Sequence, residues 1–424
     1  MNAEIICVGT ELLLGDVINT NSSYIAENLS KLGIDVFYHD TVGDNPKRLT
    51  DCIKTAVERS NIVVITGGLG PTKDDITMQT ACFVTGRERV LYDEYVKSIK
   101  EYHDRIGIKP TENNFRQAML PSDATVFPND LGTAPGCAID TAKGAVLLLP
   151  GPPKEMKHMF GTYALPFLSK YSSGILRSHF IRVYGLGESK VDELMGDLLM
   201  SEDPTLSPYA GDGEMYLRVS SKAETAEMAD EKCFEMVERV KKLLGGYIYG
   251  VDCGDLNFRA VELLGQHGKT VATAESCTGG MIGEMITEVP GASKVYNMGV
   301  VTYSNEAKVS LLGVSETTLN TLGAVSAETA SQMAHGVRLR SGADIGIGVS
   351  GIAGPESDGT NKPIGLVYVA ISTEKGDSVA ECHFGGYRDR QYIRRCAALE
   401  AFNLIRMYLD DYEFFIKYHK FVKS

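Results

Sequence analysis

Short runs of residues apolar on both faces alternate with amphipathic stretches over most of this chain, and that alternation is its strongest constraint on the fold. Up to about residue 170, EIICVG (4–9), DVFYHDTVG, NIVVITGG and GAVLLLPGPP (144–153) read as strands. Between them, NSSYIAENLSKLG (21–33) has helical spacing with an Asn/Ser start and a glycine stop, and another helix is expected near 46–60. Strands buried on both faces and separated by helices predict an α/β fold, a parallel sheet covered by helices on each side.

From about 172 to 252 the pattern changes to period two. HFIRVYG and EMYLRVSS read as strands, SKVDELMGDLLM and ETAEMADEKCFEMVERVKKLLG as amphipathic helices, and DPTLSPYAGDGE (203–214) as a loop, together a compact α+β module. From about 254 the α/β alternation resumes. The helix DLNFRAVELLGQHG precedes the strand KTVATAES, and a helix begins near Cys277. The strand YNMGVVTYS, a helix over 326–342 and the strands ADIGIGVSG, IGLVYVAIS and SVAECHFG follow, then a long helix from about 388. The aromatic tail DDYEFFIKYHKFVKS is expected to dock on the body or on a second subunit, making a homodimer. The expected domains are 1–171, 172–252 and 253–412 with a tail at 413–424, within the two to four that 424 residues suggest.

A net charge of −13 argues against a surface that binds nucleic acid non-specifically, which needs a basic field. The start lacks a basic segment and cleavage site, and no apolar run approaches the roughly 18 residues of a membrane span, so a membrane role is not expected. The nine cysteines form no CxxC or other metal spacing; an odd count suits a reducing cytoplasm.

Two loops carry the chemistry. TGGLGPTKDD (66–75) leaves the strand NIVVI, and ligands of open α/β sheets bind where strands give way to helices. Glycines 67, 68 and 70, with Thr72, would bring backbone N–H groups to a phosphate. GTELLLG (9–15), NDLGTAPG (129–136) and GPPKEM (151–156), with Gly151 and Lys154, are loops of the same kind. The plainer readings are that the glycines make tight turns and that Asp74 and Asp75 cap the helix at 76–87. A carboxylate pair beside a phosphate cradle can instead hold a divalent cation (Mg, Mn or Co), with Glu11 a third candidate.

GTELLLGDVINTNS, TGGLGPTKDDIT, ENNFRQAMLPSDA, NDLGTAPG and LLLPGPPKEM resemble the molybdopterin-binding-like domain of the CinA competence/damage-inducible family. Relatives of that domain bind molybdopterin. The resemblance implies metal-dependent ADP-ribose pyrophosphatase activity, releasing AMP and ribose 5-phosphate.

KTVATAESCTGG places Ser276 where a strand meets a helix, with Gly279 and Gly280 in the first turn, where they would let a ligand approach the helix end. A hydroxyl there can attack a carbonyl if a base is near. No histidine is close in sequence. Lys308, in TYSNEAKVSLLG (302–313), suits a Ser–Lys pair if desolvation keeps it neutral, and Tyr303 could face the same cleft. Against this, Ser276 could be an N-cap and Lys308 a solvated helix residue, and Cys277 is a rival nucleophile because a helix N-terminus lowers a thiol's pKa.

AESCTGG, GVVTYSNEAKVSLLGV, GVSGIAGP (348–355) and KPIGLVYVA (362–370) resemble the C-terminal CinA domain, the nicotinamide-nucleotide amidase. The resemblance implies Ser276 as nucleophile, Tyr303 and Lys308 in proton transfer, and no cofactor. Substrate would be held by Glu275, Thr278, Gly279, Gly280, Gly351, Gly354 and an arginine of FGGYRDRQYIR. Tyr387 follows Gly386 where the family has an acid, which leaves open whether Arg388 or Arg390 binds and leaves Arg394 a third possibility. The middle segment resembles the family's KH-like module. KH folds clamp RNA with a GXXG loop, but GLGE (185–188) lacks the last glycine, which favours a spacer or dimer role. The expectation is a bifunctional cytoplasmic hydrolase of nicotinamide mononucleotide and ADP-ribose. The alternatives are an N-terminal domain that only binds a pterin or nucleotide, and an adaptor in competence or DNA repair.

Overall fold

The computed structural model describes residues 1–172, 174–211, 213–357 and 359–418. They form two compact units, Met1–Arg177 with Ser221–Glu231, and Ser178–Ser220 with Lys232–Ser424.

In the first unit a six-stranded sheet runs in the order Asp35–Val42, Asn2–Val8, Ile62–Thr66, Ala145–Leu149, Gly136–Asp140, Thr125–Phe127. The first four strands are parallel, as expected, and the last two add antiparallel. The sequence reading missed Gly136–Asp140, whose glycine-led start looks like the end of a loop, and the helix Asp93–Ile106. Pleating explains the two-sided apolar runs. Ile5, Val64 and Leu147 pack against Ile25 and Leu29 of the helix Thr20–Lys31. Their neighbours Ile6, Val63 and Val146 meet Leu49 and Ile53 of the helix Pro46–Arg59 on the opposite face.

The middle module is a four-stranded sheet, Thr205–Ala210, Met215–Ala223, Ile175–Val183, Ile248–Val251, with the helices Glu188–Met195 and Ala226–Leu244. Here a loop expectation fails. Thr205–Ala210 pairs antiparallel with Met215–Ala223, and Tyr209 stacks on its cross-strand partner Tyr216 at 4.9 Å. Pro204 and Pro208 disguised the strand, yet an edge strand tolerates them because its outer N–H groups need no partner.

The last domain is a five-stranded sheet ordered Tyr296–Val301, Val271–Glu275, Ile345–Gly351, Leu366–Thr373, Gly376–His383. The first three strands are parallel, so their carboxyl ends lie together. Gly346 and Gly348 let the helix Ala327–Ser341 lie against the sheet, because a Cβ at Gly348 would press on the Ala330 carbonyl and the Ala334 nitrogen. The helices Leu256–Gln266 and Arg390–Asp410 bury the other face through Ala260, Leu264, Ala397 and Phe402. Part of the expected tail is the helix Tyr412–Tyr418, which docks on its own domain through the buried Phe415; residues 419–424 lie outside the described part. Among the described residues no helix is long and apolar enough to cross a membrane.

Candidate active sites

At the carboxyl end of Val271–Glu275 the chain turns sharply. Ser276 N–H donates to Val349 O at 3.0 Å, continuing the ladder with the neighbouring strand, and Gly279 and Gly280 take φ of +62° and +99°. Glu275 is buried, and its two carboxylate oxygens accept from the N–H groups of Gly280, Ile282 and Gly283 at 2.9–3.1 Å. It thereby satisfies free N–H groups at the start of the helix Met281–Thr287, whose N-cap is Gly280. This differs from two expectations: Glu275, expected to hold substrate, turns both carboxylate oxygens to these N–H groups, and the helix end that Gly279 and Gly280 were expected to open to a ligand is filled by that carboxylate.

Lys308 sits in the first turn of the helix Asn305–Leu312, whose N-cap Ser304 accepts from Ala307 N–H at 3.1 Å. It is not solvated: only 1% of it is exposed. Its Nζ lies 2.8 Å from Thr302 O, 3.2 Å from Tyr303 O and 3.3 Å from Ser276 Oγ. Burial holds the amine below its ordinary pKa. When neutral, the amine has two N–H groups and one lone pair; both carbonyls can only accept, so in that state they take the N–H groups and leave the lone pair for the serine hydroxyl. That geometry is one in which a lysine can serve as base to a serine nucleophile.

Burial disfavours Cys277 as the rival. Its side chain is buried, and desolvation pushes the thiol up to about 12, outweighing any pull from the helix end. Tyr303 is brought to the site differently from what was expected. Its carbonyl meets Lys308, while its exposed hydroxyl lies 3.4 Å from Arg390 Nη2.

The arginines now separate. Arg390 donates to Gly354 O at 2.7 Å and so ties the GIAGP loop to Tyr303. Arg394 donates to Thr278 O at 2.7 Å, on the nucleophile loop. Arg388 instead lies over the rings of Tyr387 and Tyr392, 5.1 and 4.7 Å from their centroids, and is not brought to the loops. Thr278 is fully buried, and its hydroxyl has no hydrogen-bond partner among the described residues. Gly351 is needed for packing, since a Cβ there would lie 2.6 Å from Val367 Cγ2; Gly354 is in the left-handed region at φ +73°. The sequence reading left Arg394 among three possibilities; its spacing of four from Arg390 puts both on one helix face.

The N-terminal site is built from the ends of three parallel strands, Asn2–Val8, Ile62–Thr66 and Ala145–Leu149. Asn21 Nδ2 donates to Gly151 O at 2.8 Å and to Thr66 Oγ1 at 3.2 Å, while its buried Oδ1 has no partner among the described residues. These groups and Glu11 line a cavity of about 300 Å³. The glycines serve tight packing as well as any ligand. A Cβ at Gly67 would strike Val8 O, one at Gly68 would strike Thr77 Oγ1, and one at Gly70 would lie 2.5 Å from Asp75 Oδ2.

The three proposed metal ligands do not converge. Asp75 accepts from Thr72 N–H at 2.9 Å and from the Thr72 hydroxyl, closing a turn rather than capping the helix Thr77–Thr85. Asp74 is exposed. Glu11 folds over Gly9 and lines the Asn21 cavity, whereas Asp75 lines a separate cleft with Gly68 and Gly70. Among the described residues no group of three or more His, Cys, Asp or Glu could hold a metal ion. Lys154 is exposed and lies outside the Asn21 cavity lining.

Comparison with known proteins covers nearly the whole chain. Residues 4–170 match the probable molybdopterin binding domain, 178–250 the KH domain of the damage-inducible protein CinA, and 255–409 the CinA C-terminal domain. A competence-damage inducible protein of Caldanaerobacter subterraneus subsp. tengcongensis is 46% identical over 414 residues, 97% of this chain and 99% of its own. One from Acetivibrio thermocellus is 44% identical over 410 residues, covering 96% and 99%. A CinA-like protein of Dictyoglomus turgidum is 44% identical over 407 residues, covering 96% and 98%.

Proposed function

This chain belongs to the CinA family, and from that premise we propose that its C-terminal domain deamidates nicotinamide mononucleotide with Ser276 as nucleophile. The observation that carries the reading is the buried Lys308 amine, with two carbonyl acceptors and the Ser276 hydroxyl around it. Ser276 Oγ attacks the carboxamide carbon and passes its proton to Lys308. The protonated lysine returns a proton to the amide nitrogen, and the C–N bond breaks to release ammonia and leave an acyl ester on Ser276. Water, deprotonated by the same amine, hydrolyses the ester to the carboxylate and restores the serine. In this reading Arg390 and Arg394, which bond the loops at Gly354 and Thr278, hold the nucleotide's phosphate.

For the N-terminal domain the reading is nucleotide binding in the Asn21 cavity, with ADP-ribose hydrolysis as its activity. The buried, unpartnered Asn21 Oδ1 supports a ligand that donates a hydrogen bond there. Glu11, Asp74 and Asp75 do not form a metal cluster.

Purified protein is given nicotinamide mononucleotide and, separately, ADP-ribose with and without Mg, Mn or Co. Ammonia from the first and AMP from the second are expected. Absence of ammonia sinks the amidase reading, and absence of AMP with every metal reduces the N-terminal domain to a binding module.

A further inference from the structure

Within the second unit a cavity of about 580 Å³ lies beside the outer strand Gly376–His383. None of the residues assigned above lines it. Its walls include the rings of Tyr184, Tyr368, Phe384 and Tyr418, and its acids are Glu381 and Glu400. His383 also lines it and holds Glu381 at 2.9 Å; no lysine or arginine among the described residues does. Glu400 is 4% exposed, on the buried stretch of the helix Arg390–Asp410. On that helix it faces Cys396, Asn403 (3.5 Å) and Arg406, whose N–H groups go to Gly246 O and Asn403 Oδ1. Tyr184, Cys382 and Tyr418 face it from the other elements.

The size suits a small organic molecule. Carboxylates without a lining lysine or arginine repel anions, and the acids are not gathered as a metal cluster would need. Aromatic faces attract a weakly hydrated positive charge, and a buried carboxylate supplies the counter-charge. We propose that this cavity binds an organic cation, a quaternary ammonium or pyridinium, between the four rings with Glu400 as counter-ion. The site does not depend on the amidase reading. It shares a helix with Arg390 and Arg394, and Glu400 lies about 9 Å along the axis from Arg394.

The test is calorimetric titration of the full chain with 1-methylpyridinium and, at the same pH, with uncharged pyridine. The cation is expected to bind at least about tenfold more tightly than pyridine. Burial pushes the Glu400 carboxyl up to about 7, so cation affinity is expected to rise about tenfold from pH 6 to pH 8 as the ionised form takes over. Glu400→Gln is expected to remove that rise. Glu381→Gln and Phe384→Ala, at less buried positions, are each expected to weaken binding severalfold, and they decide the matter if Glu400→Gln does not fold. Equal affinity for pyridine overturns the proposal, as does a flat pH profile. Unchanged cation affinity in the Glu381 and Phe384 variants does the same.

Discussion

Replacing Lys308 by Met keeps an unbranched stem of similar length, with sulfur in place of one methylene, and removes the amine. In the native chain that amine is 3.3 Å from Ser276 Oγ and fixed by two carbonyls. Without it the serine proton has no side-chain acceptor, and loss of a general base costs about 10²–10⁴ in rate, or about 2.7–5.4 kcal/mol of barrier. Stability moves less. Thr302 O and Tyr303 O each lose a donor, at about 1–3 kcal/mol if left dry, but the cost of burying an amine also disappears, so the net loss is expected to be at most about 3 kcal/mol. The pH dependence separates the two effects. Because the folded-state pKa of Lys308 is lowered, the native chain binds fewer protons than the unfolded one between the lowered and the ordinary value. Wild-type stability therefore gains on the variant as pH rises through that window. Wild-type kcat rises with pH as the amine becomes neutral, then levels off. Ammonia release from nicotinamide mononucleotide across pH, with urea unfolding alongside, reads both. A folded Lys308→Met variant with kcat within threefold of wild type would refute the reasoning.

Other expectations follow from the same geometry. Ser276→Ala is expected to lose ammonia release, whereas Cys277→Ala retains it within a few-fold; the reverse pattern in the same assay moves the nucleophile to the thiol. Glu275→Gln sets an amide NH₂ against at least one of the three backbone N–H groups it now caps, and a loss of about 1–3 kcal/mol in urea unfolding is expected, with a fall in turnover as the Gly279–Gly280 turn shifts. Gly348→Ala drives a methyl into the backbone of Ala327–Ser341 and is expected to destabilise by about 1–3 kcal/mol. Gly265→Ala has open space inside the helix Leu256–Gln266 and is expected to stabilise by about 0.5–1 kcal/mol in the same measurement.

Strands buried on both faces were legible because a central parallel strand needs a continuous apolar run, and IICV (5–8) and IVVI (62–65) are such runs. Thr205–Ala210 was not, because an edge strand carries turn-forming residues without penalty and only its pairing with Met215–Ala223 identifies it. Ser276 and Lys308 were legible as residue types at a strand end and in a first helical turn. That they touch was not, because 32 residues separate them and the parallel register of Val271–Glu275 with Tyr296–Val301 brings them together.

Local sequence thus determined what is periodic or adjacent: the alternating elements, the caps such as Ser304 and Asp389, and the loops with chemistry-bearing side chains. Tertiary structure decided what depends on burial and direction. Glu275 turned from a candidate ligand residue into the acceptor at a helix start, Cys277 was buried, and Asp74, Asp75 and Glu11 parted instead of meeting. The physical reason is that a carboxylate, thiol or amine takes its role from its desolvation and from which donors and acceptors face it. Both are set by packing between segments far apart in the chain.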